Sequence, residues 1–286
     1  MPHTQSDDDL ISRYRRYESG RSFPSTYSHP ASIEAWRARY VRSMLAGFIG
    51  SVPDGRWLTV GDGYFGHDAH FLKRLGVDVV ASSLSGDVLK QAALRGWIDE
   101  WRVENAEAID LPADAFDYVL CMETLQHCAR PHRALEELMR VGRRGVVVMN
   151  CIERRGWPLD RAREWARRRR GSGSVGGVEQ YAPVGGPLFR VGIDEIAKAA
   201  TRAGMVTMAF KPFNLVPSGR HWCRDASWIS PPFLAVRAAT VISDAVSAAR
   251  LLSPSFGWFV LLKEQPGAAT ILALEAGGFS TKALQS

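Results

Sequence analysis

The chain has 286 residues, 46% hydrophobic and 23% charged, with a formal net charge of +6 and a pI near 9.3. That is the make-up of a globular protein with a sizeable core, one large domain or two small ones, and it removes the need for a disulfide or metal staple. Cys121, Cys128, Cys151 and Cys223 form no C-x-x-C pair and no zinc spacing, so reduced, mostly buried thiols and a cytoplasmic setting are expected.

The opening MPHTQSDDDL lacks the basic and apolar regions of a signal peptide. Ile33, Trp36, Tyr40, Met44 and Phe48 then recur at helical spacing, which predicts a helical cover over residues 1–53. Residues 57–66 read WLTVGDGYFG: an apolar run, then glycine at Gly61, Gly63 and Gly66. Ala69, Phe71, Leu72 and Leu75 follow on one helical face. A strand, a glycine turn and a helix let backbone approach a ligand and aim a helix N-terminus at its polar groups. A nucleoside-type cofactor is the functional reading of that turn; a plain structural turn is the alternative.

Strand and helix patterns alternate from residue 54 to 150, with apolar runs at 77–81, 101–103, 116–121 and 145–149. This order predicts a parallel, doubly wound α/β sheet with right-handed crossovers. Residues 151–190 are rich in Arg, Gly and Pro and read as an inserted lid. Residues 191–286 complete the same α/β domain, with a helix at 193–200, strands at 206–210 and 258–262, and a long helix at 233–252. Arg237, Asp244 and Arg250 interrupt that last helix, which argues against a membrane span.

In dinucleotide folds an acidic residue about 20 positions after the glycine turn holds the ribose hydroxyls. Here the second strand ends at Ala81-Ser82-Ser83, with no carboxylate. Further on, Asn105-Ala106-Glu107-Ala108-Ile109-Asp110-Leu111-Pro112 precedes Phe116-Asp117-Tyr118-Val119. With the V-G-D-G-x-x-G-x-D-A stretch, E-N-A-E and H-x-x-R-P, these segments resemble the class I S-adenosylmethionine-dependent methyltransferases, over roughly residues 30 to 265. The resemblance implies a seven-stranded Rossmann-like sheet and S-adenosyl-L-methionine as cofactor. It implies that Gly61, Asp62, Gly63 and Gly66 face the methionine and ribose parts, and that Ser83 and Leu84 lie at the ribose. Asn105, Ala106 and Glu107 would then meet the adenine, with Cys121 and Met122 on the site floor. Thr59 and Ser83 stand where the superfamily has acidic residues.

The fourth strand runs into Glu123 and His127, where a methyl acceptor would meet the cofactor. His127 titrates near neutrality when unperturbed and is the candidate base, with Glu123 beside it; a turn cap is the alternative for His127. His132 is expected to open a helix. His67, Asp68 and His70 are better explained by the glycine motif than by a metal. Tyr181, Phe189, Arg190, Asn214, His221 and Trp222 are candidates for the acceptor side. The expected activity is methylation of a small-molecule or glycan-type acceptor, at oxygen. A methyltransferase-like fold that transfers no methyl is the first alternative. An RNA methyltransferase is the second, kept open by the basic stretch at 161–170. Nucleic acid is otherwise a minor option, and a homodimer is the assembly the chain allows.

Overall fold

The computed structural model describes residues 7–20, 29–169, 189–215 and 224–284. Strands β1 (Trp57–Val60), β2 (Val79–Ser83), β3 (Glu100–Val103), β4 (Phe116–Met122), β5 (Gly142–Cys151), β6 (Thr207–Phe213), β7 (Phe256–Leu262) and β8 (Ser280–Ala283) form one sheet in the order β3-β2-β1-β4-β5-β7-β6-β8. The first five pair in parallel; β7 runs antiparallel between β5 and β6. The short β8 adds an eighth, antiparallel edge to the seven strands expected.

Both faces of the sheet are covered, which is why its central strands read as continuous apolar runs. Trp57, Leu120, Val147, Met149, Trp258 and Val260 face one buried cluster with Phe48, Phe65, Leu72 and Leu89. Their neighbours Leu58, Val60, Val146, Val148, Phe259 and Leu261 face the other, with Leu135, Leu138 and Ile196. The first cluster is covered by helices α2 (Ile33–Ser43), α3 (Ala46–Gly50), α4 (His67–Arg74), α5 (Gly86–Leu94) and α10 (Ala268–Ala276). The second is covered by α6 (Pro131–Val141) and α8 (Ile193–Arg202), whose apolar stripes recur at helical spacing.

Three further helices complete the described chain. The first is α1 (Asp7–Ser19), inside the expected N-terminal cover. Next, α7 (Pro158–Arg169) gives the expected lid a regular element that its arginine-rich sequence had hidden. Last, α9 (Pro231–Ala248) ends before residue 252. No helix among the described residues is long and apolar enough to cross a membrane. The chain leaves β1 outward to β2 and β3, then returns to β4 on β1's other side. The strand order therefore reverses between β1 and β4, and a crevice forms at their carboxyl ends.

Candidate functional site

A cavity of roughly 470 Å³ occupies that crevice. It is lined by the turns after β1 to β4 and by side chains of α1 and α2. A volume of about 300–1,000 Å³ suits a small organic ligand or cofactor.

The glycine turn forms one wall. Gly61 has φ +79°, and a Cβ there would overlap the Thr124 side chain, which packs directly on it. Gly63 is crowded differently: a Cβ would run into the Glu18 carboxylate and come within 2.8 Å of Ser83 Oγ. Gly66, also left-handed at φ +64°, is the N-cap of α4, and a Cβ there would meet Ile98 Cγ2 at 2.9 Å. It is not a cavity residue, so its expected contact with the cofactor is replaced by packing of the α4 start.

Asp62 touches the cavity, but its carboxylate is engaged elsewhere. It accepts from Thr59 Oγ1 at 2.9 Å, Ala69 N at 2.9 Å and Asp68 N at 3.1 Å, tying the turn to the first turn of α4. Burial, and next the charge of Asp68, push its pKa up to about 7, although the three donors oppose that shift. Thr59 is thus a partner of Asp62.

Ser83 is fully buried and does not line the cavity, which corrects the expectation that it meets the ribose. Its hydroxyl donates to Glu18 Oε2 at 2.7 Å, and Ser85 N donates to the same oxygen at 3.1 Å. Leu84 lines the cavity, and its carbonyl accepts from Arg15 Nε at 3.3 Å. Ser19 and Ser85 hydroxyls bond at 2.8 Å. Helix α1 is therefore clamped over the ends of β2 and the glycine turn. Leu10, Tyr14 and Glu18, four apart, present one face to the cavity.

Across the cavity, Asn105, Ala106 and Glu107 all line the wall. Asn105 Oδ1 accepts from Glu107 N at 3.0 Å and closes the turn on itself. The Glu107 carboxylate is buried and turned away. It accepts from Ala129 N (2.7 Å), Arg130 N (3.2 Å) and Arg130 Nε (2.9 Å), so it fastens the β4–α6 loop and is not the adenine contact expected of it. Glu104, the first residue of the E-N-A-E segment and given no role by it, also lines the wall and accepts from Asp110 N at 2.9 Å.

At the end of β4, Met122 lines the cavity, whereas Cys121 is buried among the core side chains and its thiol is pushed up to about 12 by burial. Glu123 has φ +53° and lines the cavity. A non-glycine residue held there stores about 1–3 kcal/mol of strain, which is found at functional sites. Burial raises the Glu123 pKa, Arg42 lowers it and Asp68 raises it. Arg42 and Asp68 form a buried pair, Nε to Oδ1 2.8 Å, that joins α2 to α4 at the cavity wall. His67 beside them is held well below its usual pKa by burial and by Arg42, which keeps it neutral.

His127 closes the 3₁₀ turn Leu125–His127 and lines the cavity. Its Nδ1 lies 2.9 Å from Tyr14 Oη, and its Nε2 lies 3.3 Å from Gln126 Nε2. Gln126 Oε1 accepts from Cys151 N, and Gln126 N donates to Asn150 Oδ1. That fixes the amide so that its N–H faces Nε2, and favours the tautomer with the proton on Nδ1, shared with Tyr14. Burial pushes the Tyr14 hydroxyl up to about 12.

The other candidates lie apart. His132 is exposed at the start of α6, and His70 Nδ1 bonds the Trp97 carbonyl at 3.0 Å. Asn214 ties α9 to the β7 approach through Asp244, Ser247 and Ser255. Phe189 N donates to the Gln126 carbonyl and Arg190 Nη1 to the Ile152 carbonyl, and neither side chain lines the cavity. Tyr181, His221 and Trp222 lie outside the described residues, as do Cys223 and Arg170, the last residue of the basic stretch. Residues 161–165 are exposed on α7. Among the described residues no group of three or more His, Cys, Asp or Glu could hold a metal ion.

Residues 58–149, the strands and turns just described, match the family model for the methyltransferase domain. The chain carries a class I S-adenosylmethionine-dependent methyltransferase domain. Solved structures of low identity share its fold. They include the YcgJ protein of Bacillus subtilis (TM-score 0.53, 14% identity, covering 79% of this chain and 100% of that one). A proposed sarcosine dimethylglycine methyltransferase from Galdieria sulphuraria gives TM-score 0.52 at 16% identity over 90% and 99% of the two chains. Haemonchus contortus phosphoethanolamine N-methyltransferase 2 gives 0.53 at 15% identity over 93% and 62%. No curated protein matches the sequence.

S-adenosylmethionine is the cofactor of this methyltransferase domain, and the cavity fits it. Gly61 and Gly63 bring bare backbone to one wall of the cavity, and the Asn105–Ala106 turn forms the opposite wall. When bound there, the cofactor supplies an electrophilic methyl group on a sulfonium. Sequence motifs missed Tyr14, Glu18, Arg37 and the Arg42–Asp68 pair, all cavity residues from α1, α2 and α4. The 10-14-18 spacing in DDDLISRYRRYES was the available signal for α1.

Proposed function

We propose that this methyltransferase acts on a small-molecule or glycan-type acceptor and methylates it at oxygen. The carrying observation is that one cavity joins the glycine turn and the adenine-side turn to His127, Tyr14 and Glu123. A hydroxyl must lose its proton as the methyl arrives, and a positioned base contributes about 10²–10⁴-fold. His127 is that base. Its Nδ1 is held by Tyr14, and the long bond from Gln126 yields Nε2 to an incoming hydroxyl. Tyr14 orients the ring and steadies the charge it gains. Glu123, with Arg37 and Arg42 beside it, positions the acceptor through polar contacts. The cavity is enclosed by α1 and α2, which suits a compact acceptor. The proposed organisation is a helical cover (1–53), a cofactor core (54–150), an inserted lid (151–190) and a C-terminal part of the same domain (191–286).

The test is a transfer assay with methyl-labelled S-adenosylmethionine against sugars, phenols, hydroxylated metabolites, amines and bulk RNA. Label in an ether of a small hydroxyl compound is expected. Label in amines alone would move the reaction to nitrogen. Label in RNA alone would overturn the small-acceptor reading and give α7 a role. Tight cofactor binding with no label in any class would favour a methyltransferase fold that no longer transfers methyl.

A further inference from the structure

We propose that Glu18 of α1 is the carboxylate that receives the cofactor's ribose hydroxyls, taking over the duty that the end of β2 has lost. This rests on the S-adenosylmethionine reading of the cavity. In folds of this topology a carboxylate at the end of β2 accepts from the vicinal ribose hydroxyls, because two acceptor oxygens match two donors. Here Ser83 holds that position, and it is fully buried with its hydroxyl committed to Glu18. A serine offers one oxygen where a carboxylate offers two, and this one does not reach the cavity. Glu18 does line the cavity, although it is only 8% exposed.

Its placement matches the duty. Oε2 sits over the end of β2, taking Ser83 Oγ at 2.7 Å and Ser85 N at 3.1 Å. Oε1 lies against Gly63, where it meets the position of an added Cβ. The carboxylate thus stands between the glycine turn and β2, 65 residues away in sequence from Ser83 but in contact with it. Ser83 and Glu18 explain each other. An aspartate at 83 would set two carboxylates in contact, whereas serine is short enough to admit Glu18 and supplies a donor to hold it.

The substitution also changes what the site can do. Glu18 and Tyr14 lie one turn apart on α1, and Tyr14 bonds His127. A single helix therefore carries the ribose contact and the partner of the candidate base.

The experiment titrates the full chain with S-adenosylhomocysteine and with its 2′,3′-dideoxy analogue by calorimetry. The wild type is expected to bind the ribose form about 10- to 100-fold more tightly, the scale of two hydrogen bonds to a charged group. In Glu18→Gln that preference should collapse to about threefold or less, with affinity for the dideoxy analogue nearly kept. Any loss of folded protein scales both affinities alike, so the ratio still reads the ribose contact. A Glu18→Gln variant that weakens both ligands equally and keeps the wild-type ratio overturns the proposal, since Glu18 would then only pin α1. A wild type that binds neither compound overturns the cofactor reading itself, and this proposal with it.

Discussion

Gly61 and Gly63 belong to one sequence motif, yet replacing each with alanine should do different damage. At Gly61 the backbone is left-handed, φ +79°, and the new Cβ would overlap Thr124, a side chain wedged between the ends of β1 and β4. The left-handed conformation costs about 1–2 kcal/mol and the overpacking about 1–3 kcal/mol. The sum, about 2–5 kcal/mol, is a fall in Tm of roughly 5–15 °C for a chain of this size. At Gly63 no left-handed strain arises, and the Cβ meets the end of the Glu18 side chain on a surface helix. Glu18 can swing aside, so Gly63→Ala should cost less than about 2 kcal/mol of stability. It should nevertheless dislodge Glu18 and intrude on the cofactor, weakening S-adenosylhomocysteine binding about 10- to 100-fold, or 1.4–2.7 kcal/mol. Thermal denaturation and calorimetric titration of both variants separate the two effects. Equal losses of Tm, or wild-type affinity in Gly63→Ala, would refute the assignment of fold to one glycine and ligand to the other.

Four further outcomes follow from the same geometry. His127→Ala should lower kcat by about 10²–10⁴-fold while cofactor affinity holds, and remove the neutral limb of the pH–rate profile; a variant that loses Tm but keeps turnover would make His127 a cap. Ser83→Asp in the otherwise wild-type chain should weaken S-adenosylhomocysteine binding by placing a second carboxylate against Glu18, whose oxygen now lies 2.7 Å from Ser83 Oγ; tighter binding in titration would contradict the Glu18 placement. Arg42→Ala should destabilise by about 3–5 kcal/mol in denaturant unfolding, because Asp68 is left buried and unpaired; a loss under about 1 kcal/mol would show the pair to be solvated. The raised Glu123 pKa means that its contribution to stability is present below the ordinary carboxylate range and is lost as pH rises through the folded value. Glu123→Gln should therefore gain stability relative to wild type as pH is raised, and a difference independent of pH would show that Glu123 keeps an ordinary pKa.

The fold was legible because its signals are local. Alternating apolar runs and the 57–66 turn report a parallel sheet directly, and both faces are indeed buried. That Gly61, Gly63 and Asn105–Ala106 line one cavity was legible for the same reason. What could not be read was which way a polar side chain turns. Glu107 and Asp62 belong to the motif, but loop and helix N–H groups claim their carboxylates. Ser83 read as a missing ribose ligand, because its substitute arrives from α1, in a polar, arginine-rich stretch with only Leu10 buried as an apolar anchor. The α7 helix was obscured by charge, since its exposed face carries almost no apolar stripe.

A crystal structure of the chain with S-adenosylhomocysteine would show directly which groups hold the cofactor. The homocysteine part should lie over Gly61 and Gly63, the adenine beside Asn105 and Ala106, and both ribose hydroxyls within about 3 Å of the Glu18 carboxylate. A ligand seated elsewhere, or a ribose held by other groups with Glu18 turned away, would contradict this placement.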